Sequence, residues 1–217
     1  MRIKRILAVF IISLITFSIP VMAFENENKG IILIDPGHGG IDGGANSKTG
    51  TVEKDINLII SLKLKSRLES EGYKVFITRE EDKELSRKKV EDLNMRCNMK
   101  KETKCDVFIS IHQNKFSQES CYGAQVWYAN NDKSAKIAEF IQNSMKEKID
   151  DKNKRLAKPA KQQYKILRDG YDGACVIVEC GFISNNEEEK RLKTDEHQNK
   201  IVDGITCGIN KYFEENK

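Results

Sequence analysis

The chain has 217 residues, 32% of them charged and 39% hydrophobic, with a formal net charge of +4. That length bounds the protein to one well-cored domain once any targeting segment is set aside. Arg2, Lys4 and Arg5 carry most of the excess: without these three, the 37 basic residues become 34 against 33 acidic ones, which leaves no electrostatic footprint for nucleic acid.

Residues 1–23 open on those three basic residues and continue through an almost uncharged apolar run, Ile6 to Ala23, closing on Val21-Met22-Ala23. This order is that of a secretory signal peptide. The run also approaches the ~18 residues of a spanning helix, so a retained membrane anchor is the alternative, and membrane contact is expected only in that case. Residues 24–30 are expected to be a linker and 31–217 the folded domain. Export permits disulfides, but the six cysteines (Cys97, Cys105, Cys121, Cys175, Cys180, Cys207) include no C-x-x-C pair. Most are expected to act as small buried apolar residues.

Ile31–Asp35 is a short apolar run ending at Pro36 and Gly37, which suits a strand buried on both faces. After a glycine-dense loop, Ile56, Ile59, Ile60, Leu64 and Leu68 return at helical spacing, and Gly72 marks the stop. Val75–Thr78 is the next strand, and a lysine-rich helix over Ser86–Lys100 leads into the strand Asp106–His112. Gly123–Ala129 alternates as a strand. Asp132 is placed to cap a helix that shows Ile137, Phe140, Ile141 and Met145 on one face. Lys146–Lys161 reads as a solvated connection, Tyr164–Arg168 and Cys175–Glu179 as two further strands, and Asp195–Phe213 as the last helix. Six strands interleaved with helices predict a single α/β domain, a twisted, mostly parallel sheet with helices on both faces.

The chemistry-bearing residues fall at the C-terminal ends of these strands, where open α/β sheets place their sites. His38 follows the first strand in Asp35-Pro36-Gly37-His38-Gly39-Gly40, and His112 ends the third; Glu53 precedes a helix and Glu179 ends the strand Val176-Ile177-Val178. Two imidazoles and one carboxylate make a common catalytic zinc set with one position left open, and a second carboxylate can then move the proton. Composition and spacing leave the roles of Glu53 and Glu179 interchangeable. A glycosidase using these two carboxylates is the rival reading, but it leaves both histidines without a task.

The segments Ile34-Asp35-Pro36-Gly37-His38-Gly39-Gly40 with Gly43-Gly44-Ala45, then Glu53, Thr78-Arg79, Ser110-Ile111-His112-Gln113-Asn114, and Val178-Glu179-Cys180-Gly181-Phe182-Ile183-Ser184-Asn185 resemble, in order, the motifs of the zinc-dependent cell-wall amidases called amidase type 3. The match runs from about Ile31 to the C-terminus. The resemblance implies a six-stranded α/β fold and hydrolysis of the amide between N-acetylmuramic acid and L-alanine of peptidoglycan. It implies Zn2+ held by His38, Glu53 and His112, with Glu179 as catalytic acid/base. Gln113 stands where relatives often have Ala, and Ala174 where they often have Pro. A narrower similarity, Ser86-Arg87-Lys88-Lys89 with Asp92-Leu93 and Arg96, is to the germination-type amidases of spore formers. It implies removal of stem peptides from spore cortex on the way to muramic-δ-lactam, outside the cytoplasm, at the wall or between the forespore membranes. A general autolysin of the same chemistry and a non-catalytic peptidoglycan-binding protein are the alternatives.

Four further expectations concern neighbouring residues. Asp35 either hydrogen-bonds a ligand histidine or forms the turn before Pro36. Arg79 and Arg96 are expected in structural ion pairs, His197 facing solvent, and Arg87–Lys89 on a hydrated helix face. The 67 residues from His112 to Glu179 are already filled by assigned elements, so no internal plug over the site is expected. Restraint would come from timing of synthesis or from an exported partner that orders the glycine-rich stretch Gly37–Gly50 and supports zinc binding.

Overall fold

The computed structural model describes residues 29–215; the expected signal peptide and most of the linker lie outside the described residues. Six strands form one sheet: β1 (Ile31–Pro36), β2 (Lys74–Ile77), β3 (Val107–Asn114), β4 (Gln125–Tyr128), β5 (Lys158–Pro159) and β6 (Ala174–Phe182), in the order β2-β1-β3-β6-β4-β5. All neighbours run parallel except β4 and β6, which pair antiparallel. Five helices join them: α1 (Glu53–Ser70), α2 (Lys89–Thr103), α3 (Asp132–Ile149), α4 (Asn186–Leu192) and α5 (Asp195–Glu214).

Side chains alternate across the central strands, as the period of two requires. Ile32, Ile34, Val107, Ile109, Ile111, Val176 and Val178 enter one core with the apolar faces of α1, α3 and α5, while Leu33, Phe108, Cys175 and Ile177 enter a second core on the opposite face with residues of α2. Helices on both faces explain why these strands are apolar throughout. Cys175 and Cys180 belong to different cores, so the strand itself separates them; all six cysteines are free thiols, and four are buried.

The sequence expectation fails at one strand. Tyr164–Arg168 contains a short 3-10 helix over Lys165–Leu167, and the sixth strand is instead the two-residue edge pair Lys158–Pro159. Ile166 and Leu167 are adjacent and both enter the same core, whereas a strand would send them to opposite faces. The buried Lys100 ammonium donates to the Ile166 carbonyl at 2.7 Å and to Asp169 at 2.8 Å, fixing this turn beneath α2. Pro159 tolerates the sheet edge because no further strand needs its missing N–H.

Smaller corrections follow from capping. The side chain of Asn131, not Asp132, accepts from Ser134 N and starts α3, which continues to Ile149 into the presumed connection. Asn185 accepts from Glu187 N and Glu188 N and starts the unexpected α4. Helix α2 begins at Lys89, so Ser86–Lys88 precede it. His197 is buried, not solvent-facing: it lies in the first turn of α5, next to α4. Burial, with Arg191 and Lys200 nearby, pushes its pKa down to about 4.

Candidate metal centre

Three adjacent strands set the site. The register β1-β3-β6 puts Pro36 beside Ile111 and His112 beside Glu179, so the chain leaving β1 and the ends of β3 and β6 meet at one edge of the sheet. Glu53 arrives as the first residue of α1. His38, Glu53 and His112 each bring a ligand atom within 4.8 Å of the others; Glu53 Oε1 lies 2.9 Å from His112 Nδ1 and Glu53 Oε2 lies 3.4 Å from His38 Nε2. The two imidazoles meet edge to face with centroids 4.9 Å apart. All three residues named from sequence as metal ligands thus converge, and Glu179 stands on the neighbouring strand.

The backbone is shaped for this approach. A side chain at Gly37 would put its Cβ 2.3 Å from the His112 ring, and one at Gly44, where φ is +70°, would meet Glu53 Oε2 and His38 at 2.6 Å. His38 itself sits in the left-handed region at φ 63°, a strained conformation for a non-glycine residue that persists only where its surroundings over-determine it. Those surroundings are two buried guanidinium groups. Arg79 donates to the carbonyls of Pro36, Gly37, Lys54 and Glu81, and Arg96 to those of Pro36 and His38. Arg96 also makes the expected ion pairs, with Asp35 at 2.5 Å and Asp92 at 2.6 Å. Arg79 does not: its fork binds backbone oxygens, holding the ligand loop itself.

Asp35 hydrogen-bonds neither His38 nor His112. It accepts from Arg96, Thr78 Oγ1 and Ser110 Oγ, and although burial acts to raise its pKa, these partners hold it below the ordinary carboxylate value. The residue that orients a histidine is Asp42, whose Oδ1 lies 3.1 Å from His38 Nδ1 and accepts from Gly44 N. Sequence reasoning missed Asp42; its spacing of four after His38 in a glycine-rich loop was the available signal, and only the loop's fold shows that it turns back.

Glu53 accepts from Ala45 N, Gln113 N and Asn57 Nδ2 as well as facing both imidazoles. Burial opposes its ionisation, but His112 and His38 outweigh this and its pKa falls far below the usual range. His112 responds in the opposite sense: burial acts downward, and Glu53, Glu179 and Asp35 hold its pKa above the ordinary value. Gln113, flagged by sequence as bordering the site, donates to Asn57 Oδ1. Glu179 differs from all of these. Burial and the charge of Glu53 push its pKa up to about 7 against the pull of the histidines, and its Oε2 is buried with no hydrogen-bond partner.

The glycine-rich stretch between His38 and Glu53 is laced. Gly39 and Asp42 form one bridge and Asn46 and Val52 another, and the Ala45 carbonyl accepts from Glu53 N. At its far end Ser47, Thr49 and Thr51 donate their hydroxyls to a single carboxylate oxygen of Glu189 in α4, which Lys193 also approaches. Burial would raise the Glu189 pKa, yet these donors pull it down to about 2.

An open α/β sheet with paired histidines and carboxylates at its C-terminal edge defines a hydrolase site, and the comparisons with known proteins specify the kind. Residues 32–211 match the family model described as N-acetylmuramoyl-L-alanine amidase, and the chain belongs to that family, Amidase_3. It is an N-acetylmuramoyl-L-alanine amidase acting on peptidoglycan. The germination-specific N-acetylmuramoyl-L-alanine amidase of Bacillus subtilis is 34% identical over 194 residues, which cover 85% of this chain and 80% of that protein. The CwlD amidase of Clostridioides difficile, solved in complex with the GerS lipoprotein, superposes with a TM-score of 0.82 at 38% identity over 86% of this chain and 99% of that one. The amidase AmiC2 of Nostoc punctiforme superposes at 0.77 with 31% identity, over 86% and 98%.

Proposed function

We propose that His38, Glu53 and His112 hold a zinc ion and that Glu179 is the acid/base that cuts the amide between N-acetylmuramic acid and L-alanine. The donor set fits. Two imidazole nitrogens and a carboxylate oxygen suit zinc, and one such atom from each of His38, Glu53 and His112 lies within 4.8 Å of the others, near enough to converge on one ion with bonds of ~2.0–2.2 Å. A bound zinc supplies Lewis acidity to the scissile carbonyl and makes water more acidic. The chain's own residues do the rest. Asp42 fixes the orientation of His38, and Glu53 is held ionised. Glu179 accepts a proton from the attacking water at its free Oε2 and returns it to the leaving alanine nitrogen. The observation that carries this reading is that oxygen: a buried carboxylate poised near neutrality, unpartnered, beside the cluster.

We assign residues 1–23 to a signal peptide or anchor, 24–30 to a linker and 31–217 to the catalytic domain. We place the enzyme outside the cytoplasm, removing stem peptides from spore cortex; similarity to a germination-specific relative supports this over a general autolysin. A relative solved with a lipoprotein supports an exported partner here too, and the stretch Gly37–Gly50, which contains His38 and leads into Glu53, is where such a partner would act on zinc binding. The test is metal analysis of the purified protein coupled to peptide release from peptidoglycan followed by mass spectrometry. Chelation is expected to abolish release and zinc to restore it, with no new reducing sugar ends. Substituting His38, Glu53 or His112 by Ala is expected to lower zinc occupancy, and unchanged stoichiometry in any one removes that residue from the ligand set.

A further inference from the structure

A cavity of about 310 Å³ is lined by His38 and His112 together with the apolar Ile41, Leu93 and Ile166 and the charged Glu84, Arg87 and Lys89. Its charged groups differ in what they are free to do. Asp35 and Asp92 also line it, but both are bound to Arg96. Asp42 is divided between His38, Gly44 N and Lys89, whose ammonium lies 3.6 Å away. Arg87 and Glu84 have no ion pair or side-chain hydrogen bond among the described residues. Glu84 is half-buried, its carboxylate packed on Gly40, whereas Arg87 is exposed at the rim just before α2. Sequence reasoning gave Arg87 to a hydrated helix face; the fold instead puts it on the wall of the cleft that contains the ligand histidines.

This cleft is bipolar over an apolar floor, and it is small. A volume near the lower end of ordinary ligand pockets holds two or three residues of a peptide, not a length of sugar strand, whose neutral rings also offer Arg87 no carboxylate. The peptide side of the substrate has the complementary chemistry. Its alanine methyl suits Ile166 and Leu93. Its second residue, a glutamate joined through the side-chain carboxyl, keeps a free α-carboxylate about two residues, or ~7 Å, from the bond that is cut. A guanidinium takes a carboxylate in a two-pronged bond that a point charge does not reproduce.

Resting on the reading of this site as the place where the muramoyl–alanine amide is cut, we propose that this cleft receives the stem peptide and that Arg87 binds the free α-carboxylate of its second residue, making the enzyme selective for stems in which that group is not amidated. Glu84, which lines the same cleft, is left for the peptide's N–H groups.

The experiment uses the zinc-loaded full domain and two soluble muramoyl peptides that differ in one group, α-carboxylate or α-carboxamide at the second residue. The wild type is expected to favour the free acid by about tenfold or more in kcat/KM, chiefly through KM. Arg87→Ala is expected to lose the preference, its kcat/KM values on acid and amide coming within about twofold of each other, and Arg87→Lys to recover part of it. Equal wild-type rates on the two peptides, or an Arg87→Ala enzyme that still discriminates, overturns the assignment of Arg87. A zinc-loaded wild type that releases neither peptide counts against the reading of the site itself, so the two failures are distinguishable.

Discussion

Glu189 touches no ligand, yet its removal should weaken metal binding. One of its oxygens gathers the hydroxyls of Ser47, Thr49 and Thr51, which span the return leg of the loop that delivers Glu53 to His38 and His112. The carboxylate is buried, and a hydrogen bond to a charged group contributes ~1.5–3 kcal/mol. In Glu189→Ala the freed hydroxyls can take water, because Thr49 is exposed and the other two are half-buried. The three bonds also share one acceptor. Both facts put the total below that of three independent bonds, at about 2–4 kcal/mol of lost loop anchoring. Metal affinity falls by the fraction of molecules whose loop is in the binding conformation, so about 2 kcal/mol of loop opening weakens zinc binding by up to about thirtyfold. Competition titration against a chromophoric chelator measures this, with hydrogen exchange at amides 45–52 as the structural readout. Glu187→Ala, on an exposed neighbour in the same helix, is the control and should change neither. A Glu189→Ala protein that binds zinc as tightly as the wild type, with unchanged exchange in the loop, would refute the argument.

Glu179→Gln should keep the fold and zinc but lose about 10²–10⁴-fold in turnover, the ordinary contribution of a general acid/base, and near-normal turnover in a zinc-loaded variant would remove its role. Asp42→Ala should lower zinc affinity about 10–100-fold through lost orientation of His38, with Glu179 chemistry intact once metal is saturating; unchanged affinity would show that the 3.1 Å contact orients nothing. The lowered pKa of Asp35 means that its ionised form stabilises the fold above the unfolded carboxylate value and that this contribution disappears as pH falls through the lowered one. Chemical denaturation of Asp35→Asn and wild type should therefore differ most near neutrality and converge in acid; a constant gap would mean that the charge on Asp35 is not what counts.

The sequence by itself determined the α/β class, five of the six strands and the convergence of His38, Glu53, His112 and Glu179. The class and strands follow from local facts, apolar runs as short as buried strands and helical spacing after Asp55, and the four site residues from the ordered motifs that resemble the amidase family. The edge strand at Lys158–Pro159 was not legible, since two exposed residues carry no pattern and their pairing depends on where β4 lies. The turn at Lys165–Leu167 was misread because burial by Lys100 and α2, not local periodicity, decides it. The partners of charged residues were decided by tertiary structure alone. Asp35, near the end of β1, and Asp42, in the loop after it, flank His38, and spacing cannot tell which of them meets the imidazole; the left-handed turn at His38 and the clasp of Arg79 and Arg96 do. Glu189 lies 138 residues from Thr51, and Arg87 reaches the cleft because α2 packs beneath β1. Contacts between groups so far apart along the chain leave no local trace, because nothing in either segment's own propensity requires the other.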